Sequence, residues 1–377
     1  MYYFMRYRFI LYATAFVAQF AYGSSGPEYL EAESQQHPLL EGFKAFRLPW
    51  VEERRSQLTL RSFYFNRDTE GRTIQEDMAL GGTFNVVSVY WNGHLKLGAT
   101  AYTSQKLYAD SDKADTGLLQ DGHQSFSGAS EFYTGLMIEK LTVEAGRFAV
   151  NMPYINRSDI RMIPQTFQGF RGNYRISDKW IVGAGMLTHI KNRTSTGFDD
   201  LYQKAGLREA HTISGAGSIY TPKEGRLAGV YWINAPDYKK DLYLEISERY
   251  PYDDDRYIQL SAQYTHQESI GSQLDGEFSV DHFGLRVSWN QNWAKFTMAY
   301  TYYSNTDQLR SPWGSIPGYT SVMVKDFNRP GEKAWLLGTR VNWIGLVCMD
   351  SNLTQNISLE TPLAVAIMPA RIRMNLI

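Results

Sequence analysis

The sequence has little cysteine, no excess of either charge and no long apolar run. The single cysteine, Cys348, excludes a disulfide framework and a cysteine-rich metal site. Lys and Arg number 38 against 39 Asp and Glu, and the net charge of −1 argues against a nucleic-acid partner. No window supplies the roughly 20 apolar residues of a spanning helix, and the mean hydropathy is −0.38. A bundle of membrane helices is therefore excluded as well.

Aromatic residues and glycine are abundant. The chain carries 26 Tyr, 19 Phe and 9 Trp together with 31 Gly. A polar mean hydropathy combined with many aromatic residues is typical of strands that have one apolar face and one face in contact with water. Such strands are typical of barrels in the bacterial outer membrane.

The first residues have the features of a secretory signal. Arg6 and Arg8 supply a positive start, residues 9–20 are mostly apolar, and Ala21 and Gly23 are the small residues that a signal peptidase reads. A membrane anchor is the alternative, but this apolar run is shorter than the roughly 20 residues that a spanning helix needs. We expect residues 1–23 to be a signal peptide.

From about residue 56 the sequence alternates apolar and polar residues in stretches of roughly ten. In one of them Phe283, Leu285 and Val287 alternate with Gly284 and Arg286, so each set lies on its own face of a strand. About fourteen such stretches precede residue 344, whereas residues 24–55 look like an irregular lead-in. The strands of a soluble β-sandwich or β-helix also alternate apolar and polar residues, so a single stretch does not distinguish these folds from a membrane barrel.

The connections between the stretches come in two sizes. Short turns include Asn92-Gly93 and Ser177-Asp178, and Asn-Gly between alternating stretches is a strong hairpin signal. Short turns at one end and long loops at the other favour an all-β fold, a transmembrane antiparallel β-barrel of the outer membrane. The long loops lie at about 108–127, 150–167, 192–212 and 303–333.

Three segments of the sequence carry specific motifs. They are residues 60–68 (Leu-Arg-Ser-Phe-Tyr-Phe-Asn-Arg-Asp), residues 161–170, which include Pro-Gln-Thr, and residues 326–335 (Asp-Phe-Asn-Arg-Pro-Gly-Glu-Lys-Ala-Trp). These segments resemble the OprD family of substrate-specific outer-membrane channels. The first resembles that family's first strand and its exit into the first loop, the second the return of the third loop to the wall, and the third the seventh loop. The resemblance covers roughly residues 50–345.

The resemblance implies a barrel of about 18 strands, often a loose trimer, whose third and seventh loops fold inward to narrow the pore. Arginines and lysines of the wall would attract the carboxylate of a substrate, and acidic or carbonyl groups of the loops would face them. Members of the family pass small water-soluble nutrients such as amino acids, peptides, carboxylates or sugars. In this chain the loop after the fifth strand is the third, and the loop after the thirteenth is the seventh.

Five basic residues lie mid-strand among polar neighbours. On the lipid face an Arg or Lys near the midplane costs about 2–4 kcal/mol, so we expect these side chains to point into the lumen. There a row of cations would enrich carboxylates. Some of them could instead lie near a strand end and reach the interface. The five are Arg61, Lys96, Arg286, Lys295 and Arg340.

Two loop residues complete the predicted substrate-binding set. Arg161 belongs to the third loop and Asp326 to the seventh. Asp326 is the expected substrate-facing acid, and its alternative role is to brace the loop by accepting backbone N–H bonds. The family often has Ser before this Asp, whereas this chain has Lys325, which leaves the local charge and the substrate preference open.

Catalytic and metal-binding patterns are missing from the sequence. The seven histidines are scattered and none pairs with a Ser or an acid in a recognisable motif. The acidic run Asp253-Asp254-Asp255 could bind Ca²⁺, but at a turn we interpret it as a solvated cap. We therefore predict a protein that is not an enzyme and has no cofactor. The remaining choice is between a conducting pore and an adhesin or receptor.

The predicted organisation has three parts, which are a signal peptide (1–23), a barrel (24–345) and an aberrant tail (346–377). The predicted function is a porin for passive uptake of amino acids, peptides or carboxylates. Its predicted partners are the outer-membrane bilayer and small polar solutes, with no nucleic acid. The resemblance leaves a homotrimer open.

Residues 344–377 depart from the alternating pattern. They contain no Phe, Tyr or Trp, and their last glycine is Gly345. A shifted reading frame or an early stop near residue 346 would account for this and for the missing C-terminal strands. A genuine barrel of 14 strands with an unusual end is the alternative. Loss of the last strands would leave two unpaired edges in lipid, so we expect the product to assemble poorly.

Reading the genomic DNA past codon 346 in the other two frames tests this expectation. Strands with aromatic ends and a terminal Phe should appear there if the frame has shifted. Heat-modifiable migration on a gel, with single-channel conductance, is the second measurement. A stable conducting pore would contradict the truncation.

Overall fold

The structure is a computed structural model that describes eight ranges of the chain. These are residues 19–21, 37–44, 55–69, 71–253, 256–291, 293–321, 326–342 and 360–365. Most of the predicted signal peptide and tail, as well as Asp254, Asp255 and Lys325, lie outside the described residues.

Fourteen long strands and two short helices make up most of the described ranges. Each strand coincides with one of the alternating stretches, so the all-β prediction is confirmed. The strands are β1 (Arg55–Arg67), β2 (Gln75–Tyr90), β3 (Leu95–Ala109), β4 (Phe126–Ile138), β5 (Leu141–Phe148), β6 (Thr166–Ser177), β7 (Trp180–Lys191), β8 (Ile213–Tyr220), β9 (Leu227–Ala235), β10 (Lys239–Pro251), β11 (Tyr257–Ser269), β12 (Ser279–Asn290), β13 (Ala294–Tyr303) and β14 (Lys333–Asn342). The helices are α1 (Pro38–Lys44) and α2 (Leu201–Lys204).

The strands pair antiparallel in chain order from β1 to β14. Two shorter segments extend the sheet, Gln19–Ala21 beside β1 and Glu360–Val365 beside β14. Among the described residues, no backbone pairing joins one end of the sheet to the other. No helix in these ranges is long and apolar enough to cross a membrane.

The two faces of the sheet have opposite character. On β12 the side chains of Phe283, Leu285 and Val287 are 40%, 44% and 44% exposed, whereas His282 and Ser288 on the other face are buried. The same inversion recurs on β10 and β11, whereas on β7 to β9 the covered residues are apolar, among them Ile181, Ile219 and Ile233, and form one cluster with helix α1. This arrangement suits a sheet whose outer face meets lipid and whose inner face encloses a lumen.

The long connections leave the C-terminal ends of the odd-numbered strands. Four of them matter below, and we call them the second loop (110–125), the third loop (149–165), the fourth loop (192–212) and the seventh loop (304–332). The connection from β9 to β10 at the same end is a tight turn, in which the Tyr238 N–H donates to the Ala235 carbonyl at 3.2 Å. Loop length therefore does not alternate strictly.

Part of the expected irregular lead-in is helical. Helix α1 lies against the inner face of the sheet, with Leu39, Leu40 and Phe43 buried. His37 is hydrogen-bonded to Glu245 of β10 (Nδ1 to Oε1, 2.6 Å), and the Leu39 N–H donates to the other carboxylate oxygen at 3.4 Å. The wall carboxylate thus fixes the start of a helix whose place was not predicted.

Adjacent residues of β13 test the assignment of the two faces. Met298 is exposed on the outer face and Thr297 lies on the inner face. We expect Met298→Arg to lower the free energy of unfolding by about 2–4 kcal/mol, because it places a charge in lipid. Thr297→Arg is the matched control and should cost much less. Denaturant titration in lipid vesicles measures both, and equal losses would contradict the assignment.

Candidate functional site: a constriction built by loops

The third loop crosses the lumen from β5 to the opposite wall. Tyr154 is fully buried, and its hydroxyl hydrogen-bonds with the Thr265 Oγ1 of β11 at 2.6 Å. The Tyr154 ring packs edge-on against Tyr243 of β10, with the centroids 6.3 Å apart. The loop therefore narrows the interior of the barrel instead of projecting from its rim.

The seventh loop is bonded to the third. Gln165 donates from Nε2 to the Trp313 carbonyl at 2.7 Å and to the Asn156 carbonyl at 2.6 Å. Asn156 donates from Nδ2 to the Ser315 carbonyl at 3.1 Å and accepts the Ser315 N–H at 3.0 Å. The Trp313 indole is buried and donates to the Leu201 carbonyl of α2 at 2.8 Å. Three loops thus form one hydrogen-bonded body inside the lumen.

Polar side chains of the wall hold the seventh loop in place. The Arg310 N–H donates to Gln267 Oε1 at 2.7 Å, and Gln267 Nε2 donates to the Arg310 carbonyl at 3.0 Å. The Lys239 ammonium, fully buried, donates to the same carbonyl at 3.2 Å and to Asp241 at 2.6 Å. These contacts put the loop on β10 and β11.

Guanidinium groups gather where the third loop faces β1. Arg61 donates two hydrogen bonds to Asp159, at 2.5 and 2.7 Å, and one to the Arg161 carbonyl at 3.0 Å. Arg161 donates from Nε to the Thr116 carbonyl at 2.9 Å. Burial, together with the charges of Arg193 and Arg67, lowers the pKa of Arg161 to about 10. A pKa of this value still leaves the group charged at neutral pH.

Lys96 lies on the inner face of β3 in a charged cluster. Its ammonium pairs with Glu144 of β5, a buried carboxylate, and lies 5.4 Å from the centroid of the Tyr133 ring. Arg171 of β6 donates to the same carboxylate at 2.8 Å. Sequence reasoning missed Glu144 and Arg171, although both occupy polar positions of alternating strands.

The remaining wall cations lie on β12 to β14. The Arg286 guanidinium is 4.3 Å from the centroid of the Tyr319 ring of the seventh loop. Lys295 and Arg340 are register partners across β13 and β14, on the inner face with the buried Ala299 and Leu336. The five predicted cations thus share the inner face of the sheet but do not lie in one cluster, and their role in binding solute remains a prediction.

Asp326 lies at an exposed position of the seventh loop. Among the described residues its carboxylate receives no hydrogen bond, and its carbonyl accepts one from Ser321 Oγ at 2.7 Å. Glu332 instead accepts a backbone N–H of that loop, from Arg329 at 3.0 Å. The contacts therefore give the bracing role to Glu332, and a role for Asp326 in binding solute remains a prediction.

Comparison with known proteins gives a consistent picture. A family model described as outer membrane porin, OprD family, matches residues 49–347. Porin D of Pseudomonas aeruginosa is 25% identical over 308 residues, which cover 76% of this chain and 69% of that protein. A crystal structure of a BenF-like porin from Pseudomonas fluorescens Pf-5 matches with a TM-score of 0.72 at 16% identity, covering 79% of this chain and 80% of that one. The structure of OccK9 (OpdG) of Pseudomonas aeruginosa matches with a TM-score of 0.71 at 22% identity, covering 80% and 81%.

Gln165 tests whether the two loops act as one body. Gln165→Glu keeps the shape but removes both N–H donors and sets a carboxylate against two carbonyls. We expect a loss of about 1–3 kcal/mol in loop stability and a noisier single-channel current. Gln105→Ala is the control, because this glutamine is exposed and bonds to Thr103 and Ser127 on neighbouring strands, away from the loops. An unchanged current trace for Gln165→Glu would contradict the coupling.

Proposed function

The chain belongs to the OprD family of outer-membrane porins, and from this premise we propose a channel that admits small water-soluble solutes passively and favours those carrying a carboxylate. Family membership fixes the coarse function, a non-enzymatic channel of the outer membrane. The guanidinium cluster inside the lumen is the observation that supports the preference. Amino acids, peptides and simple carboxylates all carry the group that it would attract.

The charge balance of the cluster supports this preference. Arg61 is paired with Asp159, so its charge is largely compensated. Arg161 donates to the carbonyls of Thr116 and Ile160, which are neutral acceptors. A carbonyl orients a guanidinium without cancelling its charge, and charges inside a low-dielectric wall focus the field. We therefore expect a positive potential in the narrow region, which would concentrate anions.

Arg193 of the fourth loop adds a second such charge. It donates to the Ser158 hydroxyl at 3.1 Å, again a neutral acceptor. Ser158 in turn lies 3.3 Å from the Ser315 hydroxyl of the seventh loop. This contact places Arg193 beside the junction of the third and seventh loops, and selection by size and charge would act there.

An outer-membrane barrel that serves as an adhesin or receptor is the second candidate function. The hydrogen bonds that join three loops to one another and to the wall are the observation in its favour. Liposome swelling discriminates between the two functions, because a receptor without a pore admits no solute. A homotrimer belongs to the proposal only through the resemblance to the family.

The origin of residues 346–377 bears on assembly of this copy. We infer that they do not belong to the barrel, because they lack aromatic residues and the family match extends only to residue 347. The pairing of Glu360–Val365 with β14 stands against this inference. The gel and conductance measurements described above decide between the two.

Arg161→Gln tests the proposed selectivity. A unit charge about 4 Å away contributes about 1 kcal/mol in water, so we expect the anion-to-cation permeability ratio to fall about five-fold. The reversal potential in a KCl gradient across a planar bilayer measures this ratio. Lys223→Gln is the control, since it removes the same charge from an exposed turn where it pairs with Glu248. Equal ratios for Arg161→Gln and the parent would overturn the role of Arg161.

A further inference from the structure

A line of hydrogen bonds connects Arg161 to a buried carboxylate outside the constriction. The Thr116 carbonyl of the second loop accepts from Arg161 Nε at 2.9 Å. The Thr116 N–H donates to Asp77 Oδ2 at 3.2 Å, and the Thr116 hydroxyl donates to the same oxygen. Asp77, on β2, is fully buried. The residue that orients Arg161 is therefore fixed at two points by one carboxylate.

A histidine completes this carboxylate site. His123 Nδ1 lies 2.6 Å from Asp77 Oδ1, and His123 Nε2 lies 3.2 Å from the Lys113 carbonyl. Both partners are acceptors, and an imidazole can donate from both nitrogens only when it is protonated. The geometry is therefore that of an imidazolium clamped between a carboxylate and a carbonyl. His123 has a positive φ of 58°, so the backbone also holds a specific turn here.

Apolar packing joins the second loop to the third at the same place. Leu118 and Leu119 of the second loop are buried in one cluster with Met162 and Ile163 of the third loop. These last two residues directly follow Arg161. A displacement of the second loop would therefore be transmitted to the segment that carries the guanidinium.

We propose that His123 and Asp77 are positioning residues of the channel: together they hold Thr116, and Thr116 holds Arg161 in the constriction. This inference rests on the proposed role of Arg161 in selectivity. It makes the second loop, which contributes none of the guanidinium groups of the cluster, a determinant of which ions pass.

The clamp gives the selectivity a pH dependence. The charged groups that face His123 are Asp77 and Asp115, both acidic. Burial works to lower the pKa of His123, but the hydrogen bond to Asp77 and its charge, together with the bond to the Lys113 carbonyl and the charge of Asp115, raise the pKa above the ordinary 6.5. The imidazolium thus stabilises the loop at lower pH, and this stabilisation is lost as pH rises through the raised pKa. Anion selectivity should decline over the same interval.

A mutant cycle in planar bilayers tests the inference. We expect His123→Ala to lower the anion-to-cation ratio about two- to three-fold, and to change nothing further in an Arg161→Gln background. His123→Gln keeps one donor for Asp77 without a titrating group, so it should hold the ratio constant between about pH 6 and 8. His94→Ala is the control, since His94 lies in the turn between β2 and β3, at the opposite end of the strands from the second loop, and bonds to the Met137 carbonyl.

The outcomes separate this inference from the proposed function. A ratio that falls in Arg161→Gln but not in His123→Ala overturns the positioning role alone. If the ratio changes in neither variant, both the positioning role and the proposed selectivity of Arg161 are overturned. An equal fall for His123→Ala with and without Arg161 assigns the effect to general loosening and also overturns the inference. Hydrogen exchange of the protein in vesicles gives a second readout that does not depend on current. Faster exchange of residues 113–119 and 161–163 in His123→Ala supports the clamp. Unchanged exchange of these residues overturns it.

Discussion

In the hydrocarbon core of a membrane no water is available to hydrogen-bond with backbone N–H and C=O groups, and the rest of the structure depends on this constraint. Each unsatisfied group costs several kcal/mol in hydrocarbon, so every strand needs a neighbour on both sides. The unbroken antiparallel pairing from β1 to β14 meets this need within the sheet. The outer face must then be apolar, and polar side chains can lie only on the inner face. The charges lie inside the lumen because a charged side chain on the lipid face would be costly.

Two kinds of charge result on the inner face. Deep wall charges such as Lys96 with Glu144 and Lys239 with Asp241 are paired, because an unpaired buried charge is costly. Charges at the constriction are held differently. Arg161 is oriented by carbonyl oxygens, which do not neutralise the charge of its guanidinium group. The paired charges join the strands of the wall, and under the proposed function the uncompensated charges would act on a passing solute.

The strands were predictable and the constriction was not, for a physical reason. A period of two is a local property, so Phe283, Leu285 and Val287 reveal their strand without reference to the rest of the chain. The bond between Tyr154 and Thr265 joins residues far apart in sequence and leaves no local signal. Helix α1 was missed for the same reason, since its position depends on Glu245. The resemblance identified the loops that fold inward, but not the residues that hold them.

Carbonyl oxygens can orient a guanidinium group only when the loop that carries them is itself held in place. A carbonyl can fix Arg161 only if the backbone that bears it is rigid, and loop backbone is usually mobile. The second loop meets this requirement through the two bonds from Thr116 to Asp77 and through the leucines packed on the third loop. A carboxylate partner would have fixed the arginine directly but would have cancelled its charge. Under the proposed function, a cation that selects anions therefore needs a supporting structure outside the pore, and the fully buried Asp77 would provide its anchor.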